Sequence, residues 1–306
     1  MERTVIVIAG PTCSGKSLLG FLLAKKLKSE IISADSRQIF KYLNIGTAKP
    51  GAKTLSEFKH HFIDEFEPTQ EFNVSKFEKS SFSIFKKLFS VNKIPIVVGG
   101  SGLYIRALVD GLFDIDDNDE DYRKYLSDLR NNFGNEYLYE KLKSVDIDAA
   151  SKMLPQNWKR VMRALEVHHL TGRKISDLHK EYKREINIKF FQFGLQWERN
   201  ILYDRINNRV DEMIKNGLVE EVKSLLEKGF TKELNALNTV GYKEIISYLE
   251  KKISIERSVE LIKRNTRHFA KRQMTWFNAD KRIHWFKINS ENQLNEISNS
   301  IIELSN

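Results

Sequence analysis

Apolar positions along the chain fall into two rhythms. Unbroken runs occur at Val5-Ile6-Val7-Ile8-Ala9, at Ile31-Ile32-Ser33-Ala34-Asp35 and from Ile94 to Val98. Their length and β-branched content suit strands buried on both faces. Between them the spacing changes to threes and fours. Leu18, Leu19, Leu22, Leu23 and Leu27 form one such stretch, and Val74, Phe77, Phe82, Phe85 and Phe89 another. Residues 59–64 read as a further short strand, and Ser101 to Tyr104 open a helix after Gly99-Gly100. The first 113 residues therefore alternate strand and helix, the pattern of a parallel sheet covered by helices.

The rhythm breaks at residues 114–121, Asp-Ile-Asp-Asp-Asn-Asp-Glu-Asp. From Tyr122 to about Tyr182 the apolar spacing is helical throughout. Residues 188–196 return to a strand pattern, 283–286 form a late short strand, and the remainder is helical. The expected organisation is an α/β core over 1–113 and 188–306, an all-helical insertion over 114–187, and a helical C-terminal region.

Composition narrows the setting. A chain of 306 residues can bury a sizeable core. Cys13 is the sole cysteine, which excludes an intramolecular disulfide and a cysteine-based zinc site. No apolar run is long enough to span a bilayer. The first strand starts at once, so no secretory signal is expected, and a cytoplasmic monomer without membrane attachment is. Net charge is +9, and residues 251–287 carry eleven Lys or Arg against three acids. A basic stripe of this kind suggests a polyanionic partner.

The candidate chemistry begins at Gly10-Pro11-Thr12-Cys13-Ser14-Gly15-Lys16-Ser17. The spacing G-x-x-x-x-G-K-S, between a strand and a helix, is the phosphate loop of nucleotide-binding and ATP-binding proteins. It predicts a P-loop NTPase-like core. Backbone N–H groups and the helix N-terminus would face an anion. Lys16 supplies a cation, and the Ser17 hydroxyl can ligate Mg²⁺. The motif implies a di- or triphosphate without choosing between them. Asp35 ends the second strand beside this loop, where it could bind Mg²⁺, orient a substrate, act as a base, or simply cap a helix. No acid follows Ile96-Val97-Val98, which argues against a hydrolytic motor. Gly99-Gly100-Ser101-Gly102 could form a second anion site or only a tight turn. Arg205 and Arg209, four apart, could grip phosphate oxygens or lie on a solvated face. Lys263, Arg267 and Lys271 form one helical stripe, and Arg264, His268 and Arg272 the next, with no acid among them. That pattern suits a phosphodiester backbone. Lys159-Arg160-Val161-Met162-Arg163 adds three cations on the insertion.

In order along the chain, these stretches resemble the tRNA dimethylallyltransferases, also called isopentenyl-tRNA transferases. The matching stretches are Gly10 to Ser17, Asp35-Ser36-Arg37-Gln38, Gly46-Thr47-Ala48-Lys49-Pro50, Gly99 to Tyr104, Arg163-Ala164-Leu165-Glu166-Val167, Arg205 to Met213 with Gly217-Leu218, Val240-Gly241-Tyr242-Lys243-Glu244, and Thr266 to Trp276. The resemblance implies transfer of a dimethylallyl group from dimethylallyl diphosphate to N6 of an adenosine. That adenosine is position 37, just 3′ of the anticodon, in tRNAs reading codons that begin with U. By the resemblance Asp35 is the general base, Thr12 bridges donor and acceptor, and Arg209 is a diphosphate ligand. Ser101 stands where the family more often has threonine and keeps the hydroxyl. The tRNA anticodon stem-loop would be met by Asp35, Ser36, Arg37, Gln38, Ser101, Arg123, Lys159, Arg160, Val161, Met162 and Arg163, and by Asn238, Thr239, Val240, Gly241, Tyr242 and Lys243. The rival classes are a small-molecule kinase using ATP and a non-catalytic RNA-binding protein. The collinear motifs and the basic helix count against the first, and the intact Lys16, Ser17 and Asp35 against the second.

Overall fold

The computed structural model describes residues 3–113, 119–182, 184 and 186–305. The acidic run at residues 114–121 lies in part, at 114–118, outside the described residues.

Six strands form one parallel sheet: β1 (Thr4–Ala9), β2 (Ile31–Ala34), β3 (His60–His61), β4 (Ile96–Gly99), β5 (Lys189–Trp197) and β6 (His284–Ile288), in the order β3-β2-β4-β1-β5-β6. The unbroken apolar runs occupy its middle. Ile6 pairs in register with Ile96 on one side and Phe191 on the other. Alternation along β1 divides the core, because successive side chains leave opposite faces. Val5, Val7 and Ala9 join one buried cluster, while Ile6 and Ile8 join the other. All five are fully buried, and each larger side chain contributes about 1.5–3 kcal/mol by leaving water.

The helices packed around the sheet are α1 (Lys16–Leu27), α2 (Ala52–Glu57), α3 (Val74–Ser90), α4 (Gly102–Asp110), α9 (Arg199–Lys215), α10 (Leu218–Glu227), α11 (Tyr242–Leu249), α12 (Ile255–Asn278) and α13 (Leu294–Ser305). Helix α1 presents Leu19 and Leu23 to the Ile6 face. Helix α3 presents Phe77 and Phe85 to the Val5 face.

The chain divides into two compact units, residues 1–109 with 186–306, and residues 110–185. The second unit is helical: α5 (Glu120–Val145), α6 (Ile147–Ala150), α7 (Trp158–Thr171) and α8 (Ile175–Glu181). It has its own core, built on Leu126, Leu138, Leu142, Val161 and Leu165. Asp146 is buried there and caps α6 through Ala149 N–H at 2.9 Å, while Ser176 N–H reaches its other oxygen at 3.0 Å. Burial pushes its carboxyl up, but these backbone donors outweigh that and hold it below the usual range. Among the described residues no helix is long and apolar enough to cross a membrane.

Candidate active site

Strand β1 delivers the chain into the phosphate loop, and α1 carries it away. Gly15 sits at φ 91°, in the left-handed region, where the backbone turns into the first helical residue. Cys13 is also left-handed, at φ 61°. The loop is braced from behind. Arg205 Nε donates to the Cys13 carbonyl at 2.9 Å, and Trp197 Nε1 donates to the Ser14 carbonyl at 2.9 Å. The Arg205 guanidinium also pairs with Glu291 and lies 4.3 Å from the Trp197 ring centre. Arg205 thus braces the loop from a position that also lines the cleft above it. One turn on, Arg209 Nη1 is 3.1 Å from Thr12 Oγ1 and 3.4 Å from Cys13 Sγ.

Lys16 folds back to donate to the Pro11 carbonyl. Desolvation pushes its ammonium down to about 8; Cys13 and Asp35 oppose the shift, and Arg209 adds to it. A bound anion would favour the charged form and push this ammonium back up.

A cleft of about 520 Å³ opens over this loop, lined by Thr12 to Leu18, Asp35, Gln38, Thr47, Gly100 and Arg209 among others. A second cleft of about 340 Å³ is lined by Asp35 to Arg37, Gly46, Thr47, Ser101, Asn238 to Gly241, Lys243 and Arg272. Thr12, Asp35, Thr47, Gly100, Arg209, Phe269 and Gln273 line both. The two clefts therefore meet at the hydroxyl, carboxylate and guanidinium singled out from the sequence.

Asp35 follows β2 and shapes a turn: its Oδ1 accepts from Arg37 N–H at 2.8 Å and Gln38 N–H at 3.3 Å. Gln38 Nε2 then donates to the carbonyls of Thr47 and Ala48 at 3.2 and 3.1 Å. Ser101 Oγ accepts from Ser36 N–H at 3.1 Å, tying the β4 turn to the β2 turn. Arg37 reaches outward, donating to the Asn235 carbonyl at 2.6 Å.

The structure also supplies residues that sequence reasoning missed. Gln273 Oε1 accepts from Thr12 N–H at 2.9 Å, and its Nε2 donates to the Gly100 carbonyl at 2.9 Å. One buried amide thus sets the spacing between the phosphate loop and the β4 turn. The available signal was a polar residue on the same helical face as Ile262, Ala270 and Phe277, all buried.

The remaining expected contacts fall into groups. Asn238 and Lys243 are exposed, Thr239 and Val240 half-buried, and Gly241 and Tyr242 buried. Tyr242 is fully buried and packs in the core, so its side chain is not on the surface expected to meet RNA. Within the helical unit Lys159 and Arg160 are exposed, and Met162 and Arg163 half-buried. Val161 is fully buried in that unit's core, so its side chain too is off the surface expected to meet RNA. Arg123 and Arg163 both pair with the buried carboxylate of Glu166, Arg163 at 2.8 Å. The basic stripe on α12 is likewise partly paired. Lys263 pairs with Asp211 at 2.7 Å and Arg267 donates to Asn207 Oδ1 at 2.6 Å, so both turn toward α9. The stripe is not unopposed; its exposed cations are Arg264, Lys271 and Arg272.

Among the described residues no group of three His, Cys, Asp or Glu is placed to hold a metal ion. Ser17 and Asp35 line the same cleft. That donor set fits Mg²⁺, which is commonly held by one or two protein oxygens together with substrate phosphates.

The family model described as IPP transferase matches residues 38–280. The tRNA dimethylallyltransferase of Thermoanaerobacter sp. (strain X514) is 45% identical, over 99% of this chain and 98% of that protein. That of Alkaliphilus oremlandii is 43% identical over 99% and 97%. Among solved structures, the tRNA isopentenylpyrophosphate transferase of Bacillus halodurans superposes with a TM-score of 0.71 at 36% identity, covering 99% of this chain and 96% of that one. A eukaryotic dimethylallyltransferase acting on tRNA gives 0.84 at 29% identity, over 99% and 80%. With a phosphate loop at one cleft, a strand-end carboxylate at the next, and a match across most of its length, the chain belongs to the IPP transferase family.

Proposed function

We propose that this protein transfers the dimethylallyl group of dimethylallyl diphosphate to N6 of adenosine 37 in tRNAs reading codons that begin with U. The observation that carries the reading is the meeting of a phosphate-loop cleft and a second cleft at Thr12, Asp35 and Arg209. The diphosphate lies over Gly10 to Ser17, with Lys16 and Arg209 on its oxygens. The flipped base enters from the side of Ser36, Arg37 and Asn238 to Gly241. A new C1–N6 bond forms as the C1–O bond to diphosphate breaks, and Asp35 takes the proton from N6. That exocyclic nitrogen is a poor nucleophile because its lone pair is delocalised into the ring, so a positioned base is worth roughly a hundred- to ten-thousand-fold. The loop stabilises the charge of the departing diphosphate. Mg²⁺ at Ser17 would neutralise part of that charge when bound. Arg123, Lys159, Arg160 and Arg163 of the helical unit are assigned to the anticodon stem.

The test is incubation with an anticodon stem-loop RNA and radiolabelled dimethylallyl diphosphate, with ATP as competing donor. Label should move to the RNA with release of diphosphate, and ATP should not substitute. RNA-dependent ATP turnover without prenylated product would sink the reading.

A further inference from the structure

The loop from Asn44 to Ala48 walls both clefts, yet it carries no regular structure of its own. One carboxylate holds its first three N–H groups, and Gln38 holds the carbonyls of Thr47 and Ala48. Glu221, on α10, accepts from Asn44 N–H at 2.9 Å and Ile45 N–H at 2.7 Å through Oε2. Its Oε1 accepts from Gly46 N–H at 3.1 Å and from Tyr242 Oη–H at 2.7 Å. Three successive backbone donors form a small anion nest, and Glu221 is the anion. The phenol beneath is fully buried. Burial and the neighbouring Glu221 charge push its ionisation far above the usual range, so it remains a donor. The packing is close: a Cβ at Gly46 would lie 2.4 Å from the Tyr242 ring, so only glycine passes there.

This carboxylate joins three walls of the second cleft. The loop it holds presents the Thr47 and Ala48 carbonyls to Gln38, which shares its turn with Asp35. Tyr242 follows directly on Asn238 to Gly241, which line the opposite wall. None of these bonds reaches the phosphate loop.

We propose that Glu221 is a positioning residue for the acceptor, locking the 44–48 loop and the 238–242 segment around the turn that carries Asp35. This rests on the transfer reading above. It touches no reacting atom. Its role is to fix the distance and angle between N6 and the carboxylate, a quantity to which rate is steeply sensitive.

The experiment compares Glu221→Gln, Tyr242→Phe and the exposed neighbour Glu220→Gln. An amide facing four donors must turn its NH₂ toward one pair of them, so Glu221→Gln disrupts half the latch however it turns. It should lower kcat/KM for stem-loop RNA by about ten- to a hundredfold. The affinity for diphosphate should change less than twofold, and the shape of the pH–rate profile should be unchanged. Tyr242→Phe should cost about fivefold, the size of one lost hydrogen bond. Glu220→Gln should match the parent. Amide exchange should accelerate at Asn44, Ile45 and Gly46 in Glu221→Gln while Gly15 to Ser17 stay protected. Parent-like kcat/KM in Glu221→Gln overturns the proposal, as does an equal loss of donor and RNA binding, which would mark a general structural role. If Glu221→Gln fails to fold, Tyr242→Phe decides, and parent-like kcat/KM there overturns it. A parent protein that prenylates no RNA overturns the transfer reading itself and this inference with it.

Discussion

The two sides of the site are built in opposite ways. The donor wall is one continuous stretch, Gly10 to Ser17, shaped by its own backbone and braced by Arg205 and Trp197. The acceptor wall is assembled from residues within 35–37, 46–47, 100–101, 206–213, 238–243 and 262–273, brought together by long-range side-chain bonds. An anion site can be made from consecutive N–H groups, because every residue supplies one. A cavity for a flat, uncharged base cannot. It needs shape from several directions, and shape comes from tertiary packing. Substitutions on the donor wall should therefore act on affinity for one ligand. Those on the acceptor wall should act on geometry.

The largest expected effect is on the donor side. Lys16→Ala should reduce transfer by roughly a hundred- to a thousandfold, the scale of losing one preorganised charge on a departing anion. Donor affinity should fall with it and RNA affinity should not, as titration with each ligand alone would reveal. Gln273→Ala removes the bridge between the two walls. It leaves Thr12 N–H and the Gly100 carbonyl without their partner at half-buried positions, at about 1 kcal/mol each. A thermal midpoint several degrees lower, together with a transfer rate down by about tenfold or more, would place both walls under its control. Loss of one without the other would separate the walls.

The pH dependence sharpens the donor side further. The Lys16 ammonium, lowered to about 8 by desolvation, is charged below that pH in the free protein and neutral above it. A bound diphosphate favours the charged form. Affinity for a non-reactive diphosphate analogue should then be flat below pH 8 and fall about tenfold per unit above it. A flat profile to pH 10 would mean that Lys16 is not on the phosphates. The smallest effect expected lies on α12. Neutralising Arg264, Lys271 and Arg272 should flatten the salt dependence of RNA binding by roughly 0.7 to 0.9 in slope per lost phosphate contact. Lys263→Ala and Arg267→Ala, whose partners are Asp211 and Asn207, should leave that slope nearly unchanged.

Legibility followed the same division. The six strands and the change to an uninterrupted helical pattern could be read from spacing, because buried parallel strands are apolar without interruption. The phosphate loop could be read because its function is local. Where reading fell short, a non-local cause can be named. Residues 59–64 read as a strand, yet only His60 and His61 pair, against Ile31 and Ile32. Beyond them Phe62 and Asp64 turn left-handed and leave the sheet edge. The helix that carries the Lys263, Arg267 and Lys271 stripe starts earlier, at Ile255, where the reason is local: Ser254 caps it through Arg257 N–H. Arg205 and Arg209 are equivalent in sequence but diverge once the helix packs beside the loop. Glu221 and Gln273 gave no local sign of their partners: the loop N–H groups on Glu221 lie 175 to 177 residues away and Tyr242 lies 21 away, while those of Gln273 lie 173 and 261 away.

The central claim is that both clefts serve one carboxylate. It is tested most directly by single-turnover transfer with Asp35→Asn, measured beside the separate affinities for dimethylallyl diphosphate and stem-loop RNA. The substitution keeps the acceptor oxygen that holds the Arg37 and Gln38 N–H groups and removes the proton acceptor. A base at this point predicts a rate lower by a hundredfold or more with both affinities nearly unchanged. A near-normal rate would contradict it and reduce Asp35 to the residue that shapes the turn.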